Sequence, residues 1–220
     1  MIRPLYRALR FIGKGTVNYV HNKVRVPVVV LVYHRVTKLA LDPQLLAVTP
    51  DLFREHLEIL KTYPILRFED DWSDAQEPSV VITFDDGYAD NFHEVMPILT
   101  DFGVPATFFV SAGAIGSQRE FWWDELERLI LTPSTIPDRF RLHGFKCLRP
   151  MEWTTRTSED RMKLYADMHA MIAKSHEADL CDCIIRELQC WSGLGEKGRK
   201  THRSMDCAEL EALAQNPLVT

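Results

Sequence analysis

Three short apolar runs, each followed by polar residues, constrain the fold of this chain more than any other feature. The runs are Val28–Tyr33, Val80–Phe84 and Ala106–Val110. They are rich in β-branched and aromatic residues and do not alternate with polar ones, which is typical of strands buried on both faces of a parallel sheet. Helical patterns over residues 49–60 and 88–102 separate the runs. This strand–helix rhythm predicts an α/β fold with a parallel sheet or barrel.

Residues that begin and end helices support this interpretation. Thr49 is placed to cap the first helix, with Pro50 at the first helical position, and that helix should end before Pro64. Pro97 must kink or restart the second helix because proline has no N–H to donate. Gly103 is suited to cap its C-terminus.

The rhythm stops near residue 118, which predicts a mainly helical insertion over residues 118–205. One domain of residues 26–220 should therefore contain this insertion and follow a basic segment of residues 1–25. The elements that we expect are a helix over Trp122–Leu131, a hairpin over Arg139–Leu148, helical segments over Ser158–Gln189, a loop over Gly193–Arg203, a helix capped by Asp206, and the start of a strand at Pro217–Thr220.

Composition excludes some classes of protein. The 220 residues suffice for one domain with a sizeable core. The net charge of −5 gives no reason to expect nucleic-acid binding, which usually requires a strongly basic face. No secretory signal and no apolar run long enough to span a bilayer is found, which favours a cytoplasmic or peripheral membrane location. Residues 1–14 have the pattern of a basic amphipathic helix, which either contacts an anionic membrane or packs on the domain.

The five cysteines do not have the spacing of a disulfide framework. Cys181, Cys183 and Cys190 lie near His176 in the sequence, so a zinc site is one interpretation. The C-x-C spacing differs from the usual zinc pattern, and reduced cysteines on a helix are the other interpretation.

Two adjacent carboxylates, Asp85 and Asp86, directly follow the second apolar run. Reactive groups of α/β folds collect where strands end, and Gly87 permits a turn that brings both side chains into one mouth. One carboxylate can then bind a divalent metal while the other takes a proton from water. The alternative is that Asp-Gly is simply a turn sequence.

Other residues are weaker candidates. His34 follows the first strand and either lines the same mouth as Asp85 or is held by hydrogen bonds near the sheet edge. Trp122 and Trp123 either stack on a sugar ring or pack in the core.

The segment Thr83–Tyr88 resembles the first motif of the polysaccharide deacetylases, also called the NodB-homology or carbohydrate esterase 4 family. The resemblance continues through Asn91 and Gly103–Val110, and residues 31–36 and 121–126 are similar to one branch of that family. It implies a partial, deformed (β/α) barrel and the metal-dependent hydrolysis of N-acetyl groups on a polysaccharide or amino sugar.

The resemblance also implies roles for individual residues. Asp85 would be the general base and Asp86 a ligand of a divalent metal, normally zinc, with no organic cofactor. The family completes this site with an H-[ST]-x-x-H motif, which is not found in the 220 residues. We therefore expect the sequence to be a fragment that is neither active nor a tight zinc binder alone. The alternatives are a non-catalytic sugar-binding or partner module and a receiver-like phosphotransfer domain, which would need a lysine after a later strand.

Overall fold

The structure is a computed structural model that describes residues 26–143, 149–175 and 177–220. In those residues the strands are β1 (Val28–Tyr33), β2 (Arg35–Val36), β3 (Ala47–Val48), β4 (Ile65–Leu66), β5 (Ser79–Phe84), β6 (Thr107–Phe108), β7 (Arg139–Leu142) and β8 (Met151–Thr154). The α-helices are α1 (Pro50–Leu60), α2 (Met96–Phe102), α3 (Trp122–Ile130), α4 (Ser158–Lys174), α5 (Ala178–Ser192) and α6 (Cys207–Ala214).

The main sheet is parallel and is built around β5, in which every residue is buried. β1 pairs with one edge of β5 along its whole length, whereas β4 and β6 pair with successive halves of the other edge. Residues 218–220 pair alongside β6, since the Ala106 N–H donates to the Leu218 carbonyl at 2.9 Å. The α/β prediction is confirmed, and the sheet that these described strands form is not closed into a barrel.

The expected burial of β1 on both faces is wrong. Leu31 and Tyr33 pack against the core, but Val30 and Val32 on the opposite face are 37% and 54% exposed. The reason is that β1 lies at the edge of the sheet and α1 covers one of its faces. Within the residues that the structure describes, no helix of this unit covers the Val32 face.

The predicted helix signals are confirmed. The Thr49 side chain accepts the Leu52 N–H at 3.2 Å, and α1 ends at Leu60. A π-helical turn over Asn91–Val95 precedes α2, which accommodates the missing donor of Pro97. Gly103 ends α2 with φ of 64°, and its N–H donates to α2 carbonyls.

The chain divides into two compact units, each with its own apolar core. The sheet unit consists of the described residues up to Asp42, Leu46–Val110 and Leu210–Thr220, and the helical unit of Pro43–Leu45 and Ser111–Glu209. That residues 118–205 are an insertion in one domain stays a prediction.

The helical unit contains α3, α4 and α5, as expected from the sequence. The predicted hairpin over Arg139–Leu148 can be followed only in its first strand, because residues 144–148 lie outside the described residues. β7 pairs with β8 in antiparallel register, with Phe140 opposite Trp153. The partner lies further along the chain because Trp153 both packs against the core and donates its indole N–H to Asp167 at 2.8 Å.

The remaining expectations concern the termini. Asp206 begins α6 as predicted, since its carboxylate accepts the Glu209 N–H at 2.8 Å. The predicted helix of residues 1–14, with its membrane contact, lies outside the described residues and stays a prediction. No helix among the residues that the structure describes is long and apolar enough to cross a membrane.

Candidate active site

The Asp85–Asp86 pair stands at the C-terminal end of β5, the central strand. Asp85 still belongs to the sheet, because its N–H donates to the Tyr33 carbonyl at 2.9 Å. The pairing of Tyr33 with Phe84 places His34 across from Asp85. Alternation along the strands then puts both side chains on the same face of the sheet.

A tight turn follows at once. The Gly87 N–H donates to the Asp85 carbonyl at 2.9 Å, which closes a γ-turn with Asp86 at its centre. Asp86 has a φ of 72°, a left-handed conformation that is strained for any residue with a Cβ. Strain of this kind persists where the surrounding structure enforces it and is often found at functional sites.

Gly87 is required beside this turn for two reasons. Its φ is 85°, and a Cβ at this position would lie 2.7 Å from Val110 Cγ1. The turn is therefore packed directly against the segment that follows β6. This contact holds the Asp86 backbone in place.

A buried ion pair connects the segments on either side of the turn. Arg35, which is 1% exposed, donates to Asp90 Oδ2 at 3.0 Å and lies over the Tyr88 ring. Burial raises the pKa of Asp90, while Arg35 and the Val36 N–H oppose that rise. The Asn91 side chain donates to the His34 carbonyl at 3.0 Å. These contacts tie the loop after β1 to the helix after the turn.

The surroundings of Asp86 disfavour its charged form. Burial raises the pKa of Asp86, His34 lowers it, and the charge of Asp85 raises it further. The structure thus brings Asp85, Asp86 and His34 close enough to affect one another. An ionised Asp86 is unfavourable here unless a cation compensates it.

These residues do not by themselves form a three-ligand metal site. In the part of the chain that the structure describes, the group of three metal-ligating side chains with converging atoms is Asp124, Glu127 and His202. The Asp85–Asp86 turn offers a carboxylate that favours a cation. Among the described residues, no group of three ligand atoms converges at this turn.

The cysteines and tryptophans that the sequence suggested as candidates lie in the helical unit. Cys181 and Cys183 are free thiols on α5, and burial raises the pKa of Cys181 to about 11. A protonated thiol is a poor metal ligand, which favours the interpretation of reduced helix cysteines. His176 lies outside the described residues. Trp122 packs against the core of the helical unit, and Trp123 stacks on Phe121 at 4.9 Å.

Sequence reasoning missed the supporting residues Arg35 and Asp90. Arg35 follows His34 directly, so the signal was a charged residue at the start of β2 in an otherwise apolar segment. It could not reveal a partner 55 positions away.

Residues 73–162 match the family model described as polysaccharide deacetylase. Over this range the chain is similar to the polysaccharide deacetylases. The resemblance that was seen in Thr83–Tyr88 is thereby confirmed. The range includes the Asp85–Asp86 turn, β6 and α3.

A curated relative shows the same similarity. YxkH of Bacillus subtilis, a polysaccharide deacetylase by name, is 30% identical over 96 residues, which are 42% of this chain and 33% of YxkH. The chain thus spans about a third of the length of this curated deacetylase.

Solved deacetylase structures are also similar to this chain. The deacetylase PplD of Streptococcus pyogenes, solved with acetate, is 26% identical, with 42% of this chain and 46% of PplD covered and a TM-score of 0.34. IcaB of Ammonifex degensii is 17% identical, with 87% and 98% covered and a TM-score of 0.37.

Proposed function

We propose that this chain carries the general base of an enzyme that removes N-acetyl groups from a polysaccharide or amino sugar. The observation that carries the proposal is the γ-turn at the end of β5. It presents two adjacent carboxylates, one of which has a raised pKa, in a segment that matches the deacetylase family.

The proposed reaction is hydrolysis of an amide. The Asp85 carboxylate takes a proton from a water molecule, and the water oxygen forms a bond to the acyl carbon. The carbon–nitrogen bond then breaks, and the amine nitrogen leaves with the proton that Asp85 had taken from the water. The products are acetate and the free amino sugar, so that no oxidant or reductant is needed.

Asp86 and His34 have supporting roles in this proposal. Asp86 would give one ligand to a divalent metal ion, zinc by family resemblance, because burial makes its carboxylate favour a cation. His34 lines the same mouth and faces the pair. That the 220 residues form part of a longer deacetylase stays a prediction.

A non-catalytic sugar-binding module is the second candidate. It is favoured by the lack of three converging ligand atoms at the Asp85–Asp86 turn among the described residues. Such a module would bind an acetylated sugar polymer and release no acetate.

An acetate assay on chito-oligosaccharides distinguishes the two candidates. The protein is produced from its complete natural reading frame and supplied with zinc. Acetate release that falls 100-fold or more in Asp85→Asn supports the deacetylase, since general-base catalysis contributes on the order of 10²–10⁴-fold. Asp101→Asn, an exposed carboxylate of the same unit, is the matched control. Sugar binding without acetate release, in wild type as in Asp85→Asn, contradicts the proposal.

A further inference from the structure

The helical unit contains a buried cluster of charged side chains that the deacetylase reaction does not use. Its members lie on and around α3 and in the segment before residue 203. Those that are buried to 6% exposure or less are Glu120, Asp124, Glu125, Glu127, Arg128 and His202. Glu125 is paired with Arg119 at 2.7 Å and takes no further part in the argument. Burying so many charges is costly, so the cluster needs a physical explanation.

Arg199 compensates part of this charge. It donates to Glu120 Oε2 at 2.8 Å and to Glu127 Oε1 at 2.7 Å. Burial lowers the pKa of Arg199, but the hydrogen bonds to both glutamates outweigh that effect and raise it. Arg199 is therefore a permanent cation that fixes the orientation of Glu127.

The cluster retains an excess of negative charge. Glu120, Asp124 and Glu127 are three carboxylates, and the guanidinium groups of Arg128 and Arg199 are two cations. With a neutral His202, the formal charges of these side chains sum to −1. A set with this formal charge is compatible with a bound divalent cation.

Three of these side chains are arranged as ligands. Asp124 and Glu127 are three residues apart on one face of α3, and each offers a carboxylate oxygen. These atoms and a ring nitrogen of His202 all lie within 4.8 Å of one another, and Glu127 Oε2 is 3.9 Å from His202 Nε2. A point equidistant from three atoms with such separations lies roughly 2.3–2.8 Å from each, close to the 2.0–2.2 Å of zinc–ligand bonds.

The groups behind these ligands suit metal binding. His202 Nδ1 lies 2.9 Å from Thr201 Oγ1, which leaves Nε2 facing the carboxylates. A metal-bound histidine usually donates its other N–H to an oxygen in this way, and metal-bound carboxylates are usually hydrogen-bonded in turn, as Arg199 does for Glu127.

We infer that Asp124, Glu127 and His202 bind one divalent transition-metal ion, such as zinc. Two carboxylates and an imidazole are a donor set for such ions. The three side chains are at most 6% exposed, so a substrate has no access and the ion is structural. It fastens the turn Lys200–His202 to α3 within the helical unit. This inference does not depend on the proposed function.

Zinc titration tests the inference directly. The whole protein carries Asp86→Asn, so that the Asp85–Asp86 turn does not contribute, and is stripped with a chelator. We expect calorimetry to show one zinc ion bound per chain. Cobalt should give the visible absorption of a site with nitrogen and oxygen ligands. His202→Ala should weaken zinc binding by about 100-fold or more, because it removes a direct ligand.

Two further variants keep the test decisive if His202→Ala does not fold. Thr201→Val removes the hydroxyl behind His202 and should weaken zinc binding by about 10–100-fold. His143→Ala removes an exposed histidine of the same unit and should bind zinc like the parent protein.

Absence of bound zinc in the Asp86→Asn protein would overturn the inference. So would unchanged zinc affinity in Thr201→Val and in a folded His202→Ala. Stability that depends on the protonation of His202 and does not respond to zinc would show that a proton balances the cluster instead.

Discussion

At the scale of single residues, the backbone of the γ-turn decides where the two carboxylates lie. Asp86 and Gly87 both have positive φ, of 72° and 85°. The sequence predicted a turn from Asp-Gly, and that prediction is confirmed. It could not predict that Asp86 itself takes the strained position, because this depends on the contact between Gly87 and Val110.

Gly87→Ala should lower the free energy of unfolding by roughly 2–5 kcal/mol. The left-handed backbone costs about 1–2 kcal/mol for alanine, and the clash with Val110 adds overpacking. Gly103→Ala is the matched control, since it has a φ of 64° and no atom within 4 Å of the added Cβ. Gly103→Ala should lower the free energy of unfolding only by the cost of the left-handed backbone. Urea denaturation measures both, and equal losses would show that the contact with Val110 is unimportant.

Asp86→Asn should stabilise the protein at neutral pH in the presence of a chelator. Burial raises the folded pKa of Asp86 above its ordinary value of 3.8, so the folded state binds more protons than the unfolded state. The stability of the wild-type protein therefore falls as pH rises from the unfolded to the folded pKa of Asp86. Asparagine lacks that penalty and tolerates positive φ.

Urea midpoints between pH 4 and 8 check this expectation. The advantage of Asp86→Asn over wild type should grow with pH, whereas Asp101→Asn, an exposed carboxylate, should show no such growth. A variant that is less stable than wild type at pH 7 would contradict the raised pKa.

At the scale of elements, the helices were predicted better than the strands. Thr49, Gly103 and Asp206 act locally, so their capping roles could be predicted from a few neighbouring residues. Strand burial and pairing depend on distant residues. For this reason the exposed face of β1 was predicted wrongly, and the pairing of β7 with β8 was not predicted.

Arg199→Met should destabilise the helical unit by about 3–5 kcal/mol, because it leaves Glu120 and Glu127 buried without their main cation. Arg156→Met breaks an ion pair with Asp138 whose side chains are 62% and 70% exposed. That control should cost less than about 1 kcal/mol. Thermal denaturation compares them, and similar losses would mean that the buried pairs contribute little.

At the scale of the whole molecule, the similarity to the polysaccharide deacetylases and the Asp85–Asp86 turn could be predicted from a contiguous motif. The Asp124–Glu127–His202 group could not, because His202 lies 75 residues after Glu127 in a segment that the sequence indicated only as a loop. A site whose residues are close in the sequence can be recognised from their motif. A site assembled from distant segments can be recognised only once the fold is known.

Each unit should respond to truncation of its own core. Leu57 and Leu188 are fully buried in the sheet unit and the helical unit, respectively. Replacing either by alanine should cost about 2–5 kcal/mol. Hydrogen exchange should show lost protection in the amides of the unit that carries the change. Protection that stays unchanged in that unit would contradict the assignment of two cores.

The central claim is that Asp85 and Asp86 divide the work of one deacetylase site. The most direct test measures zinc affinity and acetate release side by side in wild type, Asp85→Asn and Asp86→Asn of the complete natural protein. Zinc bound in the helical unit is common to all three and cancels in the comparison. We predict that Asp85→Asn binds zinc like wild type but loses turnover by about 10²–10⁴-fold, and that Asp86→Asn loses zinc affinity itself. Equal zinc affinity in all three proteins would contradict the account.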